Sequence, residues 1–267
     1  AFALALTAWR YPDAGGYRPL PELQVACSGL SISVAKEEWK QLPLVGKELR
    51  IAMDWLYDTF ADAPVLGSLI DPSKSAAAKV VDWNQLQTAL NTALQGEQVA
   101  TQRELGVVAQ GLTKAAQLLS GSYGFVITNV PYLARGKQDE VLKSFCEENY
   151  PAGKNDLATV FLDRCLQFCN EGRTANVVLP QNWLFLTSYK KFREKLLTQD
   201  RWHLIARLGP KGFETPMWDF NVQLITLSRG QSGAQNFQLS GEGTQNGESR
   251  QPALLHGIDV SVPRTAS

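Results

Sequence analysis

Residues Gly124–Gln138 read "GFVITNVPYLARGKQ", and the way this stretch stops decides the fold. The apolar run Phe125-Val126-Ile127 has the length and composition of a buried strand. It breaks at Thr128-Asn129-Val130-Pro131-Tyr132, so an amide, a proline and an aromatic ring follow the strand directly. In an open α/β sheet, ligands bind beyond the carboxyl ends of the strands, which is where these residues fall. Asn129 offers a side-chain carbonyl as acceptor and Val130 its peptide carbonyl. Pro131 fixes φ and stiffens the turn. Tyr132 brings a flat face, and stacking a base on such a ring is worth about 1–3 kcal/mol. Acceptors beside an aromatic plane suit an exocyclic amine on a flat ring. Taken alone, an Asn-x-Pro-Tyr turn is more often an ordinary β-turn, so the flanking sequence has to decide.

Towards the carboxyl terminus, strands and helices alternate. "DLATVFLDRCLQFCNEG" predicts an amphipathic helix closed by Gly172. "TANVVLP" predicts a second strand, "SYKKFREKLLTQ" a second helix, and "WHLIARLG" and "FNVQLITLSRG" two further strands. Continuous apolar strands alternating with helices indicate a mostly parallel sheet covered on both faces. The last two strands have only a loop between them and suit an antiparallel hairpin at the sheet edge. From Gly230 the composition turns to Gly, Ser, Gln and Asn, which reads as a linker or the start of a further module.

Towards the amino terminus the rhythm is helical. "KELRIAMDWLYDTF" places Leu49, Met53, Leu56 and Phe60 at helical spacing. "APVLGSLIDP" interrupts, and "WNQLQTALNTAL" and "VVAQGLTKAAQLL" resume the pattern. Leu23–Ile32, "LQVACSGLSI", suits a short buried strand and a turn. The opening "AFALALTAW" lacks the basic region and cleavage site of a signal peptide and is too short to span a bilayer. It reads as the second half of a helix cut by the start of the chain.

The chain has 267 residues, 44% of them hydrophobic, enough for one sizeable core or two small ones. Lys and Arg number 26 against 26 Asp and Glu, so no global field draws the chain onto nucleic acid. Cys27, Cys146, Cys165 and Cys169 lack the paired spacing of a zinc site. They read as reduced thiols of a cytoplasmic protein, Cys165 and Cys169 sharing one helical face.

With these segments in view, Asn129-Val130-Pro131-Tyr132 resembles the Asn-Pro-Pro-Tyr motif of N6-adenine DNA methyltransferases. The ordered segments "DAPVLGSLIDP", "KNDLATVFLDRCLQF", "NVVLPQNWLFLTSYKKFREKLL" and "LIARLGPKGFE" extend the resemblance over most of the chain, to the large type IIG and phage-defence (BREX-like) enzymes. The resemblance implies an α/β class I, Rossmann-like methyltransferase sheet, incomplete at the amino terminus and carrying a helical insertion. The implied divisions are residues 1–33 as a remnant of the donor-binding half, 34–120 as the insertion, 121–229 as the catalytic half and 230–267 as linker.

The implied chemistry is methyl transfer from S-adenosyl-L-methionine to an adenine flipped out of double-stranded DNA. Asn129 and the Val130 carbonyl would accept hydrogen bonds from the adenine amine, held at that turn by Pro131, and Tyr132 would stack on the ring. Cys27 and Ser28 fall in the segment that resembles a donor-binding motif. Arg135 and Lys137, just past the turn, are the candidates for DNA phosphates. Trp183 and Phe185 fit either the target-base pocket or the core. The implied partners are DNA and fused or associated target-recognition and nuclease modules, with no metal and no membrane. The departures are Val130 in place of the usual first proline and no glycine-rich donor loop before Ala1. These departures leave two other readings open: a non-catalytic subunit that binds DNA or a partner, and a protein-glutamine N5-methyltransferase, which uses the same motif on a planar amide.

Overall fold

The computed structural model describes residues 2–13, 15–21, 23–32, 36–40, 47–75, 82–96, 100–209, 221–230 and 257–259. The chain divides into a unit of residues 1–120 and a unit of residues 121–267.

The first unit is helical among its described residues. It contains α1 (Phe2–Arg10), α2 (Lys36–Trp39), α3 (Lys47–Thr59), α4 (Ala63–Leu66), α5 (Trp83–Gly96) and α6 (Ala100–Ser120). Met53 and Leu56 on α3 and Phe60 directly after it continue one apolar stripe, and all three are buried. The indole N–H of Trp39 donates to the Met53 carbonyl at 2.9 Å and ties α2 to that helix. Pro64 at the start of α4 supplies a residue preset for helix. Asp71 then accepts from the Ser73 amide and caps a single 3₁₀ turn. The strand expected over Leu23–Ile32 is not formed: the segment is irregular, and Val25 is exposed. A strand needs a hydrogen-bonding neighbour, and no strand is described in this unit.

The second unit is built on a sheet of order β1-β2-β4-β3-β5. Its strands are β1 (Tyr123–Asn129), β2 (Cys169–Pro180), β3 (Arg201–Gly209), β4 (Val222–Ser228) and β5 (Gly257–Asp259). The helices between them are α7 (Glu140–Asn149), α8 (Leu157–Phe168) and α9 (Lys190–Gln199). β1 runs parallel to β2 and β3 parallel to β5, while β4 is antiparallel to both β2 and β3. Only β4 is reversed among the described strands, so the expected mostly parallel sheet is present.

Two details differ from the sequence expectation. The β3–β4 pair is antiparallel, but β4 lies inside the sheet between β2 and β3 rather than at its edge. The reason is burial: Val222, Gln223, Ile225 and Leu227 are all buried, so β4 is covered on both faces as an interior strand must be. Gly172 does not close α8. The helix ends at Phe168, Cys169 is already extended, and Gly172 takes φ +74° inside β2. It sits where the register slips between Tyr123↔Cys169 and Phe125↔Thr174, an irregularity that a positive φ accommodates. Cys165 and Cys169 therefore do not share a helical face, although the Cys169 thiol donates to the Cys165 carbonyl at 3.4 Å.

The core of this unit gathers Leu162 and Leu166 of α8, Val177 and Leu179 of β2, Ile225 and Leu227 of β4, and Phe192 and Leu196 of α9. β1 bonds only to β2 among the described strands, and the buried strand expected from its apolar run is not found. No residue of β1 is buried, Ile127 being 70% exposed, because no second described strand flanks it and no described helix covers the face bearing Ile127. No helix among the described residues is long and apolar enough to cross a membrane.

Candidate active site

β1 carries the chain to Asn129, whose register partner is Val178 on the parallel strand β2. The Val130 amide donates to the Val178 carbonyl at 3.4 Å and extends the ladder by one rung. Proline could not make that bond. The Val130 side chain is 4% exposed and belongs to the core. Valine thus replaces the rigidity of the usual proline with a ladder hydrogen bond and a buried anchor.

Asn129 at the last position of β1 and Pro131 just beyond it are exposed, and Tyr132 is half-buried. The Tyr132 hydroxyl donates to Asn129 Oδ1 at 2.8 Å. Burial pushes the Tyr132 hydroxyl pKa up, which keeps it a neutral donor. The amide oxygen has a second lone pair, so Asn129 can still accept from a ligand. The arrangement therefore sets an amide acceptor and a phenol ring side by side at the carboxyl end of a parallel strand pair.

The loop that follows is tied to the start of α8. The Leu133 amide donates to Asp156 Oδ1 at 3.4 Å, and the same oxygen caps α8 by accepting from the Ala158 amide at 2.9 Å. The Leu157 amide donates to the Leu133 carbonyl at 3.0 Å, and the Arg135 amide to the Asn155 carbonyl at 3.0 Å. Gln138 Nε2 donates to the Leu133 carbonyl as well, at 3.0 Å. Asn155 Nδ2 reaches the Ser188 carbonyl at 3.2 Å, linking this corner to the turn beyond β2. Burial raises the Asp156 pKa, and the Ala158 and Leu133 amides pull it back. Burial, then the nearby Asp156, push the Tyr189 hydroxyl to about 12, while its side-chain bond to Thr159 opposes them.

The DNA-contact candidates separate. Lys137 is exposed. The Arg135 guanidinium is turned onto Glu147 of α7 at 2.8 Å, a pair that a phosphate would have to displace. Of the two readings of Trp183, the burial fits the core: it is 1% exposed and packs on Phe192 and Trp202 with ring centroids at 5.5 and 5.8 Å. Phe185, two residues on, is instead 72% exposed. The basic residues of α9 are Lys190, Lys191, Arg193 and Lys195; Arg193 donates to the Trp183 and Leu186 carbonyls at 2.7 Å each, and Lys195 pairs with buried Asp163.

Cys27 is exposed and Ser28 lies in an irregular turn. The described residues hold no group of His, Cys, Asp or Glu arranged to bind a metal.

Sequence reasoning missed Asn155, Asp156 and Gln138. The one local signal was the Asn-Asp pair directly before the amphipathic run of α8, which marks a helix cap.

A sheet with one reversed interior strand, ending in an Asn-x-Pro-Tyr loop, is a Rossmann-like sheet of the class I methyltransferase type. The chain belongs to the Eco57I restriction-modification methylase family, whose model matches residues 40–213, more than half of its length. It is 34% identical over 120 residues to the adenine-specific methyltransferase PglX of Lacticaseibacillus casei (strain Zhang), covering 44% of this chain and 9% of that protein. It is 28% identical over 154 residues to the adenine-specific methyltransferase BrxX of Escherichia coli O9:H4 (strain HS), covering 58% of this chain and 12% of that protein. The chain thus spans about a tenth of the length of these relatives. A modification subunit of a putative type I restriction enzyme from Vibrio vulnificus superposes with a TM-score of 0.36 at 16% identity, over 54% of this chain and 37% of that one.

Proposed function

We propose that this chain is the catalytic half of a DNA adenine N6-methyltransferase acting in restriction-modification or phage defence. The observation that supports the reading is the loop at the end of β1, where exposed Asn129 sits against the Tyr132 hydroxyl at 2.8 Å. Family membership and the adenine-specific relatives point the same way.

In this reading the target adenine leaves the duplex, because its amine is otherwise paired. Its ring stacks on Tyr132. Asn129 Oδ1 and the Val130 carbonyl each accept one N–H of the amine, which raises electron density on nitrogen and orients its lone pair for attack. Buried Val130 and the ladder bond to Val178 hold the second acceptor in place. S-adenosyl-L-methionine, when bound, supplies a methyl group on a sulfonium leaving group. Lys137 is the phosphate contact we favour.

The test is transfer of labelled methyl by the complete protein to unmethylated duplex DNA and, separately, to glutamine-bearing protein substrates. Label on adenine supports the reading. Label on glutamine, or DNA binding with no transfer, refutes it.

A further inference from the structure

We propose that Asp156 is a positioning residue for methyl transfer, holding the Asn129–Tyr132 loop at the angle that aims both acceptors at one amine. The proposal rests on the reading of that loop as the catalytic site.

Asp156 is far from the loop in sequence but bound to it in two ways. Its Oδ1 accepts from the Leu133 amide, one residue past Tyr132, and its backbone forms an isolated antiparallel bridge with Ala134. That bridge consists of two backbone bonds, Leu157 amide to Leu133 carbonyl and Arg135 amide to Asn155 carbonyl, which with the Asp156 side chain close a clip around residues 133–135. Upstream, the loop is fixed by the Val130 rung to β2. Pro131 and Tyr132 therefore span two anchors, one on β2 and one on the first turn of α8. The downstream anchor sets where the Tyr132 ring stands relative to Asn129. Since the same Oδ1 caps α8, the loop is referenced to a helix packed in the core.

Capping and clipping make different demands on the side chain. Ser, Asn and Asp cap helices about equally well. Reaching the Leu133 amide as well requires the longer carboxylate or amide, because serine ends one atom sooner. Three variants of the complete protein thus separate the roles. Asp156→Asn keeps both side-chain bonds, Asp156→Ser keeps the cap and loses the Leu133 bond, and Asp156→Ala loses both, while the backbone bonds around residues 133–135 persist in all three.

A misplacement of about 1 Å in a reacting geometry costs roughly 100-fold in rate. The expected result is that Asp156→Ser lowers kcat about 100-fold with KM for DNA and global unfolding little changed, and that Asp156→Asn restores kcat. Hydrogen exchange supplies a readout independent of activity. The Leu133 amide should be protected in the parent and in Asp156→Asn but exchange freely in Asp156→Ser, with the α8 amides still protected. Unchanged kcat in Asp156→Ser, or equal protection of Leu133 in both variants, overturns the proposal. A parent protein that transfers no methyl to adenine while showing this exchange pattern sinks the reading of the site and supports the clip.

Discussion

Tyr132 joins two effects that substitution can separate. Its hydroxyl orients Asn129 through a 2.8 Å hydrogen bond, and its ring supplies the stacking face. Tyr132→Phe removes the first alone. A neutral hydrogen bond nets about 0.5–1.5 kcal/mol, and this one lies in an exposed setting, so the lower end applies. Asn129 would then keep its acceptor but lose a restraint, and the rate should fall only about two- to threefold, the equivalent of about 0.5 kcal/mol. Tyr132→Ala also removes the ring. Stacking is worth about 1–3 kcal/mol, or roughly 5- to 150-fold, so the alanine variant should be clearly worse. A stack made equally in the ground and transition states appears in KM, whereas one tightened at transfer appears in kcat. The assay is steady-state methyl transfer to a duplex oligonucleotide, paired with fluorescence of a 2-aminopurine placed at the target base. Phenylalanine as damaging as alanine would mean that the ring does not stack. Alanine without effect would remove Tyr132 from the site altogether.

Trp183→Ala should lower the unfolding free energy by about 3–5 kcal/mol, as loss of a large core side chain does. Denaturant unfolding checks it, and a weakened DNA affinity with unchanged stability would contradict the core placement. Burial, the largest cause in each case, pushes the thiols of Cys146 and Cys169 up to about 11 and that of Cys165 to about 12. Alkylation of the native protein near neutral pH, mapped by mass spectrometry, should therefore modify exposed Cys27 and spare the other three until unfolding. Burial raises the pKa of Asp200, with the Gly230 amide opposing it. A raised carboxylate pKa favours folding below the unfolded value and loses that contribution as pH rises through the folded one. Asp200→Asn should accordingly compare better with the parent at neutral than at acidic pH, and a reversed trend in unfolding free energy would contradict this.

Local patterns carried much of the fold because the physics there is local. β1 is a short apolar run ended by a proline turn, and α3 and α6 follow apolar spacing. What the sequence hid depends on distant partners. Whether β4 lies inside or at the edge is set by which strand is covered on both faces, and β3 and β4 read alike in one dimension. The end of α8 was misread because the helical apolar spacing runs on past Phe168, while pairing of β2 with β1 and β4 wins the residues after it. At the site, Asn129 and Tyr132 were legible as a turn with acceptors and a ring. Trp183 was not placed, since a tryptophan after a strand fits a pocket wall and a core equally well. Asp156 was invisible as a loop anchor because nothing in its own neighbourhood records a bond to Leu133.

The central claim is that the loop ending β1 presents its acceptors to the amine of adenine. Its most direct test is the N6-methyladenine content of DNA, by nucleoside mass spectrometry, in cells expressing the complete protein or its Asn129→Ala variant at matched levels. The account predicts N6-methyladenine with the parent and none above background with the variant. Equal methylation in both would contradict it.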